Sequence, residues 1–430
     1  MSLTGAIIVD RNSICSLKNK IIKSINDAHY ISFDAEFTGL STASDSKESD
    51  VEKRYTNHLF TVKQFGLLRL GITCIENLTQ SEIRVPPKYT TYEFVIVPDK
   101  EYKITTSAFL FLLNHNIDLN YQFKQGIVYP GQQYLCSSLQ TQKKKPVSMT
   151  LESDILLDIM NTLLTRLSKD LIPLIVHNGW IDLLFLYYNF WGPLQSNMNK
   201  SINALHKLFP CVYDTKYIME QLYPSNPSFL EFCFLYSWCN FPSKQLKNME
   251  TNITVSDDNI SSPSQGNENN NKNEDTQSSL IAGNNDNTDN NITNNKISGN
   301  NNNNDNIVSV ASFEYQSKRT CKEDDTISTF CDTFIKYGWC AKKEKCNLSH
   351  DIAAYLISIY PSTKDMLQQL EIQMNSDNYQ GYHSAGFDAY CTGYIFMNIK
   401  NGNKTKEQFK NLLCLPGKDI PLTLRHSEFP

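Results

Sequence analysis

The chain has 430 residues, 40% of them hydrophobic and 20% charged, with a formal net charge of −5 at pH 7. The length admits two or three domains, and the acidic balance excludes holding nucleic acid by bulk positive charge, so any such binding must come from local patches or bound metal ions. No stretch reaches the roughly 20 apolar residues that cross a bilayer, and the GAIIV run near the N-terminus is too short for a signal-peptide core, so a cytosolic or nuclear protein with no membrane partner is expected.

Residues 17–28, LKNKIIKSINDA, space their apolar positions as an amphipathic helix, and HYISFDAEF follows with the alternation of a strand. The run LFTVKQFGLLRLGITCI at 59–75 and YEFVIV at 92–97 carry β-branched and aromatic residues, so three successive strands are expected to open an antiparallel sheet. SAFLFLLNHNI (107–117) and SDILLDIMNTLLTRLSKD (153–170) read as helices, and LIPLIVHN (171–178) as a strand buried on both faces. CVYDTKYIMEQL (211–222) is a strand passing into a helix, and FLEFCFLYSWC (229–239) is aromatic enough for a core. This order predicts an α/β fold. From about Glu250 to Asn306 the sequence is dominated by Asn, Asp and Ser, a composition that buries too little surface to offset chain entropy and reads as a disordered insert.

Twelve cysteines are scattered except for one late group, a pattern of free thiols plus a metal site and not of a disulfide framework. That group is Cys331, Cys340, Cys346 and His350, spaced C-x8-C-x5-C-x3-H. Three thiolates and one imidazole close a tetrahedral zinc shell with no open position, and the metal would supply folding free energy to a segment too small for its own core. Such a pattern is similar to CCCH zinc fingers, whose members often bind single-stranded RNA. Phe334, Tyr337 and Trp339 then stack on bases, pack around the metal, or do both.

In FDAEFTGL (33–40), a strand points Asp34 and Glu36 to one face and Phe33, Ala35 and Phe37 to the other. Two adjacent carboxylates repel unless a cation sits between them, which makes a divalent metal their natural partner; a solvated strand face is the alternative. In VHNGWIDLLFLYYNFW (176–191), a strand ends at His177, Asn178 and Gly179, and Asp182 falls in the first turn of an apolar helix. There it either caps the helix or joins a site at the strand's end. Near the C-terminus, YHSAGFDAYCTGYIF places His383 just before a helix and Asp388 in its first turns.

These acids and this histidine, in this order on strand, helix and helix, resemble the DEDD exonucleases with a histidine in the last motif, of ribonuclease-H-like fold, and within them the deadenylase branch that includes poly(A)-specific ribonuclease. The shared landmarks are FDAEFTGL, HNGWIDLLFLYYNF, VYDTKY, the finger ending CNLSHD, HSAGFDAYCTGY and PLTLRHSEF. The resemblance implies a ribonuclease-H-like mixed sheet flanked by helices and interrupted by the insert and the finger. The expected divisions are exonuclease 1–248, Asn-rich insert 249–318, CCCH finger 319–353 and the last part of the exonuclease 354–430. It further implies that Asp34, Glu36, Asp182 and Asp388 hold two Mg²⁺ ions, with Mn²⁺ as a substitute, and that His383 is the general base of a 3′-to-5′ exoribonuclease.

The substrate implied is single-stranded RNA with a 3′ oligo(A) tail, on small noncoding nuclear RNAs, with release of 5′-AMP. Phe37 either wedges against the terminal base or packs in the core, and Asp214 is structural because the family's four ligand positions are already filled. Related deadenylases dimerise, so a homodimer is one expectation. The nucleus is the implied compartment, together with the cytoplasm; the chain lacks a long basic run after the finger, and its short cluster Lys143, Lys144 and Lys145 reads more as a solvated loop than as a nuclear address. Two other readings remain open at the level of sequence: a catalytically inactive RNA-binding adaptor with the same fold, and a scaffold organised around the Asn-rich tract.

Overall fold

The computed structural model describes residues 5–40, 48–77, 86–115, 117–131, 150–240, 329–342, 345–374, 383–399 and 407–425. The insert expected at 249–318, the start of the finger and the Lys143–Lys145 cluster lie outside the described residues. In chain order the elements are β1 (Ile7–Val9), α1 (Ile14–Asp27), β2 (Tyr30–Phe37), α2 (Val51–Gln64), β3 (Leu67–Glu76), β4 (Lys88–Pro98), α3 (Thr106–Asn114) and α4 (Leu119–Gln125). They continue with β5 (Ile127–Tyr129), α5 (Leu151–Lys169), β6 (Leu174–Val176), α6 (Trp180–Phe190), α7 (Met198–Leu208), β7 (Val212–Asp214), α8 (Thr215–Leu222) and α9 (Leu230–Asn240). Beyond the insert come α10 (Asp332–Tyr337), α11 (Ile352–Ile359), α12 (Lys364–Met374), α13 (Ala385–Asn398) and the pair β8 (Leu412–Leu413) and β9 (Leu422–Thr423).

The main sheet runs β1-β4-β3-β2-β6-β7, with β5 also on β4. Strand β3 is antiparallel to β2 and β4, whereas β6 is parallel to β2 and β7 to β6. Counted from β2, the order of the five central strands is 3-2-1-4-5 with the second reversed, the arrangement expected of a ribonuclease-H-like fold.

One expectation fails within this sheet. Residues 59–64, read from their composition as the start of a strand, are the end of helix α2. The Asp50 side chain accepts from the amides of Glu52 and Lys53, which starts the helix, and Tyr55, Leu59 and Val62 bury one face at helical spacing. The β-branched residues gave a local strand signal that this cap and tertiary burial override.

Strand β2 separates two cores. Ile31, Phe33, Ala35 and Phe37 join α1, α5 and α6 in one core, in which Ile155, Leu156, Ile159, Met160, Leu163, Leu164 and Leu167 form the buried stripe of α5. The alternate residues Ser32, Asp34 and Glu36 face α13, as the two-residue period of a strand requires. The second core holds α9 and α13, and Ile335, Ile352 and Leu356 from the finger and its following helix belong to the same cluster as Phe387, Tyr390 and Ile395. Burial of large aromatic groups dominates it: Phe234 meets Phe387, Tyr390 and Tyr394 at ring separations of 5.7, 6.3 and 5.4 Å.

Helix α13 is buried along most of its length and sits at backbone distance from the sheet. A Cβ on Gly71 would fall 1.7 Å from the Ala385 carbonyl oxygen, and one on Gly393 would fall 2.6 Å from the Ser32 hydroxyl. Glycine at these two positions lets the helix approach β2 and β3 closely enough for their side chains to share a site.

Candidate active site

Asp34 and Glu36 on β2 meet Asp388 in the first turn of α13, with one carboxylate oxygen from each within 4.8 Å of the others. Asp388 is 7% exposed. Burial pushes all three pKa values up, with repulsion from neighbouring acids adding to it: Asp34 and Glu36 stand well above the usual carboxylate range, with Asp388 the largest source of repulsion, and Asp388 is raised to about 8, with Glu93 and Glu231 adding to burial. Three acids held this way are mismatched to water and matched to a multivalent cation. Their all-oxygen donor set fits a hard divalent ion such as Mg²⁺ or Mn²⁺.

Asp182, at 8% exposure, stands beside this set and not within it. Its carboxyl is pushed up to about 7 by burial, an effect moderated by its own amide and that of Ala35, the residue between the two strand acids. Gly179 precedes α6, and a Cβ there would meet the Val176 side chain at 2.4 Å, so glycine lets the helix turn sharply out of β6. Asp182 is thereby delivered to the flank of β2.

His383 has φ +68°, a left-handed conformation that costs a non-glycine residue of order 1 kcal/mol and often accompanies function. Its amide donates to Asp388 Oδ1 at 3.4 Å. Much of the residue is open to solvent, yet its ring packs 4.1 Å from His115 and 5.2 Å from Phe111, just beyond and within α3. Desolvation of the ring where it packs on α3, then the neighbouring His115 imidazole, push its pKa down to about 4, so the ring is neutral at physiological pH.

Asp214 is enclosed by backbone donors: the amides of Asn178, Lys216 and Cys414 reach its carboxylate at 2.8, 3.0 and 3.0 Å. That geometry is a structural hub joining β6, β7 and the C-terminal segment. Phe37 is 9% exposed and stacks on Phe185 with ring centroids 4.1 Å apart, a core-packing contact.

Several residues at the site had not been singled out. Asn178 has φ +58°, and its side-chain oxygen is buried without a hydrogen-bond partner among the described residues. Arg69 on β3 and Glu93 on β4 form a buried ion pair at 2.7 Å next to the acids. A lone charge inside the apolar strands LLRLG and YEFVIV was the available signal, since a buried charge requires a partner.

In the finger, one ligand atom from each of Cys331, Cys340, Cys346 and His350 lies within 4.8 Å of the others. His350 Nε2 is buried with no hydrogen-bond partner among the described residues, and its ring stacks on Phe334 at 4.3 Å with planes 5° apart. Clustered thiols beside an unpartnered imidazole nitrogen fit Zn²⁺. Phe334 is thus in contact with a ligand, whereas Tyr337 and Trp339 are 55% and 59% exposed.

A ribonuclease-H-like sheet whose strand β2 sets two acids against a third from helix α13 is the arrangement expected of a nuclease. The family model of the CAF1 family ribonucleases matches residues 9–156 and 137–396, and the chain belongs to that family. The chain is 21% identical over 294 residues to the pre-piRNA 3′-exonuclease trimmer of Bombyx mori, a match covering 46% of this chain and 55% of that protein. It is 27% identical over 139 residues to the poly(A)-specific ribonuclease PARN of Xenopus laevis, covering 29% of this chain and 21% of that protein. The matches thus span about half, and about a fifth, of the length of these relatives. Among solved structures, the Mg²⁺- and Mn²⁺-bound form of S. pombe Pop2p matches with a TM-score of 0.37 at 16% identity, covering 51% of this chain and 77% of that one. The RNase domain of yeast Pop2 matches with a TM-score of 0.37 at 15% identity, covering 53% and 73%.

Proposed function

We propose that this protein is a divalent-metal-dependent 3′-to-5′ exoribonuclease that removes adenosines from the 3′ tails of RNA, releasing 5′-AMP. The observation that carries the reading is the convergence of Asp34, Glu36 and Asp388 in one cluster, with His383 beside it, from opposite ends of the chain. Asp34, Glu36, Asp182 and Asp388 would hold Mg²⁺ or Mn²⁺. Bound there, the cations supply positive charge that activates water and stabilises the developing charge on phosphate and leaving oxygen.

The chain's own part is to hold the acids ionised around the cations, to orient the terminal nucleotide and to move one proton. His383, neutral at physiological pH, accepts that proton on a ring nitrogen as water attacks the terminal phosphodiester. Its open position at the cleft is the access a general base needs.

The finger, with Zn²⁺ on Cys331, Cys340, Cys346 and His350, holds RNA upstream of the cut. Tyr337 and Trp339 offer exposed rings to unpaired bases, and Lys336 lies 5.1 Å over the Tyr337 ring, adding positive charge beside it. The natural substrates in this reading are small noncoding RNAs of the nucleus. The test is degradation of 5′-labelled RNAs that end in A, C, G or U tails of equal length: the A tail is removed fastest with 5′-AMP as product, and equal rates on all four would refute the adenosine preference.

A further inference from the structure

Helix α13 carries Asp388 and follows His383, so the placement of its first turn sets the geometry of the cleft. The amide of Gly386, second residue of that helix, is one of the donors a helix start leaves without an internal partner. It is satisfied from another element altogether: Glu93 Oε2 accepts it at 3.0 Å, across 293 positions of sequence. Glu93 Oε1 takes Arg69 Nη1 at 2.7 Å, and Arg69 Nε donates to Gln122 Oε1 at 2.6 Å. Gln122 in turn donates to the carbonyls of Leu68 and Ile96 at 3.0 and 2.8 Å, which fixes it to β3 and β4.

Arg69 and Glu93 are 5% and 2% exposed, and Gln122 is fully buried, so the chain from strand backbone to helix amide is buried throughout. The fit is tight, since a Cβ on Gly386 would lie 2.9 Å from Glu93 Oε2. A carboxylate at a helix start is also favoured by the helix dipole. A buried ion pair is seldom the most stabilising filling for such a space, and its retention fits a role in specifying geometry.

We propose that Glu93, locked by Arg69, is a positioning residue that fixes the first turn of α13 against the sheet and thereby sets Asp388 and His383 opposite Asp34 and Glu36. It acts through Gly386 and touches neither substrate nor metal. The inference rests on the exonuclease reading above.

Two double variants test it, both without the buried charges. Arg69→Met/Glu93→Gln keeps an oxygen for the Gly386 amide, and Arg69→Met/Glu93→Leu does not. Binding of Mn²⁺ is measured by calorimetry and cleavage of oligoadenylate by kinetics, with melting curves to establish folding. The Gln variant is expected to stay within about threefold of wild type in Mn²⁺ affinity and kcat, whereas the Leu variant loses roughly 10–100-fold in both, with KM for RNA little changed. Should the Leu variant not fold, Arg69→Met/Glu93→Ser replaces it, because the serine side chain is too short to reach Gly386, and the same losses are expected. A folded variant lacking the acceptor but binding Mn²⁺ and turning over as wild type does overturns the proposal, as does a Gln variant as impaired as the Leu one. If wild type itself cleaves no RNA, the exonuclease reading falls, while the Mn²⁺ titrations still decide the role of Glu93.

Discussion

The Ser32 hydroxyl donates to the Ala389 carbonyl at 2.6 Å, tying the strand of Asp34 to the helix of Asp388 across 357 positions of sequence. The site exists only because two ends of the chain are held this close, and the structural demands of that approach lead directly to experiments.

Gly71 is where strand and helix come nearest, with the place of its absent Cβ 1.7 Å from the Ala385 carbonyl oxygen. Gly71→Ala forces backbone apart and is expected to cost about 3 kcal/mol or more. Gly192→Ala, which meets nothing within 4 Å, is the control. Urea denaturation measures both, and a Gly71→Ala protein as stable as the control contradicts the packing described.

The acid cluster makes the metal-free protein sensitive to base. A carboxyl whose folded pKa is raised binds its proton more tightly in the folded than in the unfolded state, so its stabilising effect is present at low pH and is lost as pH rises. For Asp388 that loss spans the range from the ordinary carboxylate value, near 4, to about 8. In chelator, the melting temperature should fall by several degrees between pH 5 and pH 8, and Asp388→Asn should flatten the decline. Adding Mg²⁺ at pH 8 should restore the lost stability; a metal-free melting temperature that rises over this range would contradict the account.

Removing the proposed base should cost the chemical step and little else. His383→Ala is expected to lower kcat by about 10²–10⁴-fold with nearly unchanged Mg²⁺ binding. Because the wild-type imidazole is neutral down to about pH 4, the acid limb of the rate profile reports the carboxylates instead. Higher Mg²⁺ should move that limb to lower pH as metal competes with protons, and a limb fixed near the ordinary histidine pKa at every Mg²⁺ concentration would contradict this.

The finger's aromatic residues divide into two groups. Tyr337→Ala and Trp339→Ala, at exposed positions, should each weaken RNA binding by about 1–3 kcal/mol without lowering the melting temperature. Phe334→Ala removes the ring stacked on His350 and should lower zinc retention and stability first. Zinc content, melting curves and RNA titrations separate the two, and identical behaviour of all three variants would refute the division.

Much of the site could be read from residue order because alternation on a strand is a local rule. Asp34 and Glu36 share a face opposite Phe33, Ala35 and Phe37 in both sequence pattern and structure, and Asp182 and Asp388 lie in first helical turns as their flanking residues suggested. The end of α2 was not legible, since a cap at Asp50 and burial of Tyr55, Leu59 and Val62 decide it against a strand-like composition. Glu93 and Arg69 escaped for a different reason: a lone charge in an apolar strand signals only that a buried partner is needed, and the hydrogen bond from Gly386, far along the chain, is set by the fold. Phe37 carried both a packing and a binding signal, and its stacking on Phe185 was not legible because that partner lies far along the chain.

The central claim is that Asp34 and Asp388, from the two ends of the chain, serve one metal-dependent nuclease site. The most direct measurement is the shortening of a 5′-labelled oligoadenylate by the 430-residue protein in Mg²⁺, beside Asp34→Ala and Asp388→Ala proteins shown to be folded. The account predicts stepwise loss of 3′ residues with release of 5′-AMP by wild type and none by either variant. A wild-type protein that binds the RNA but leaves it intact in both Mg²⁺ and Mn²⁺ would contradict it.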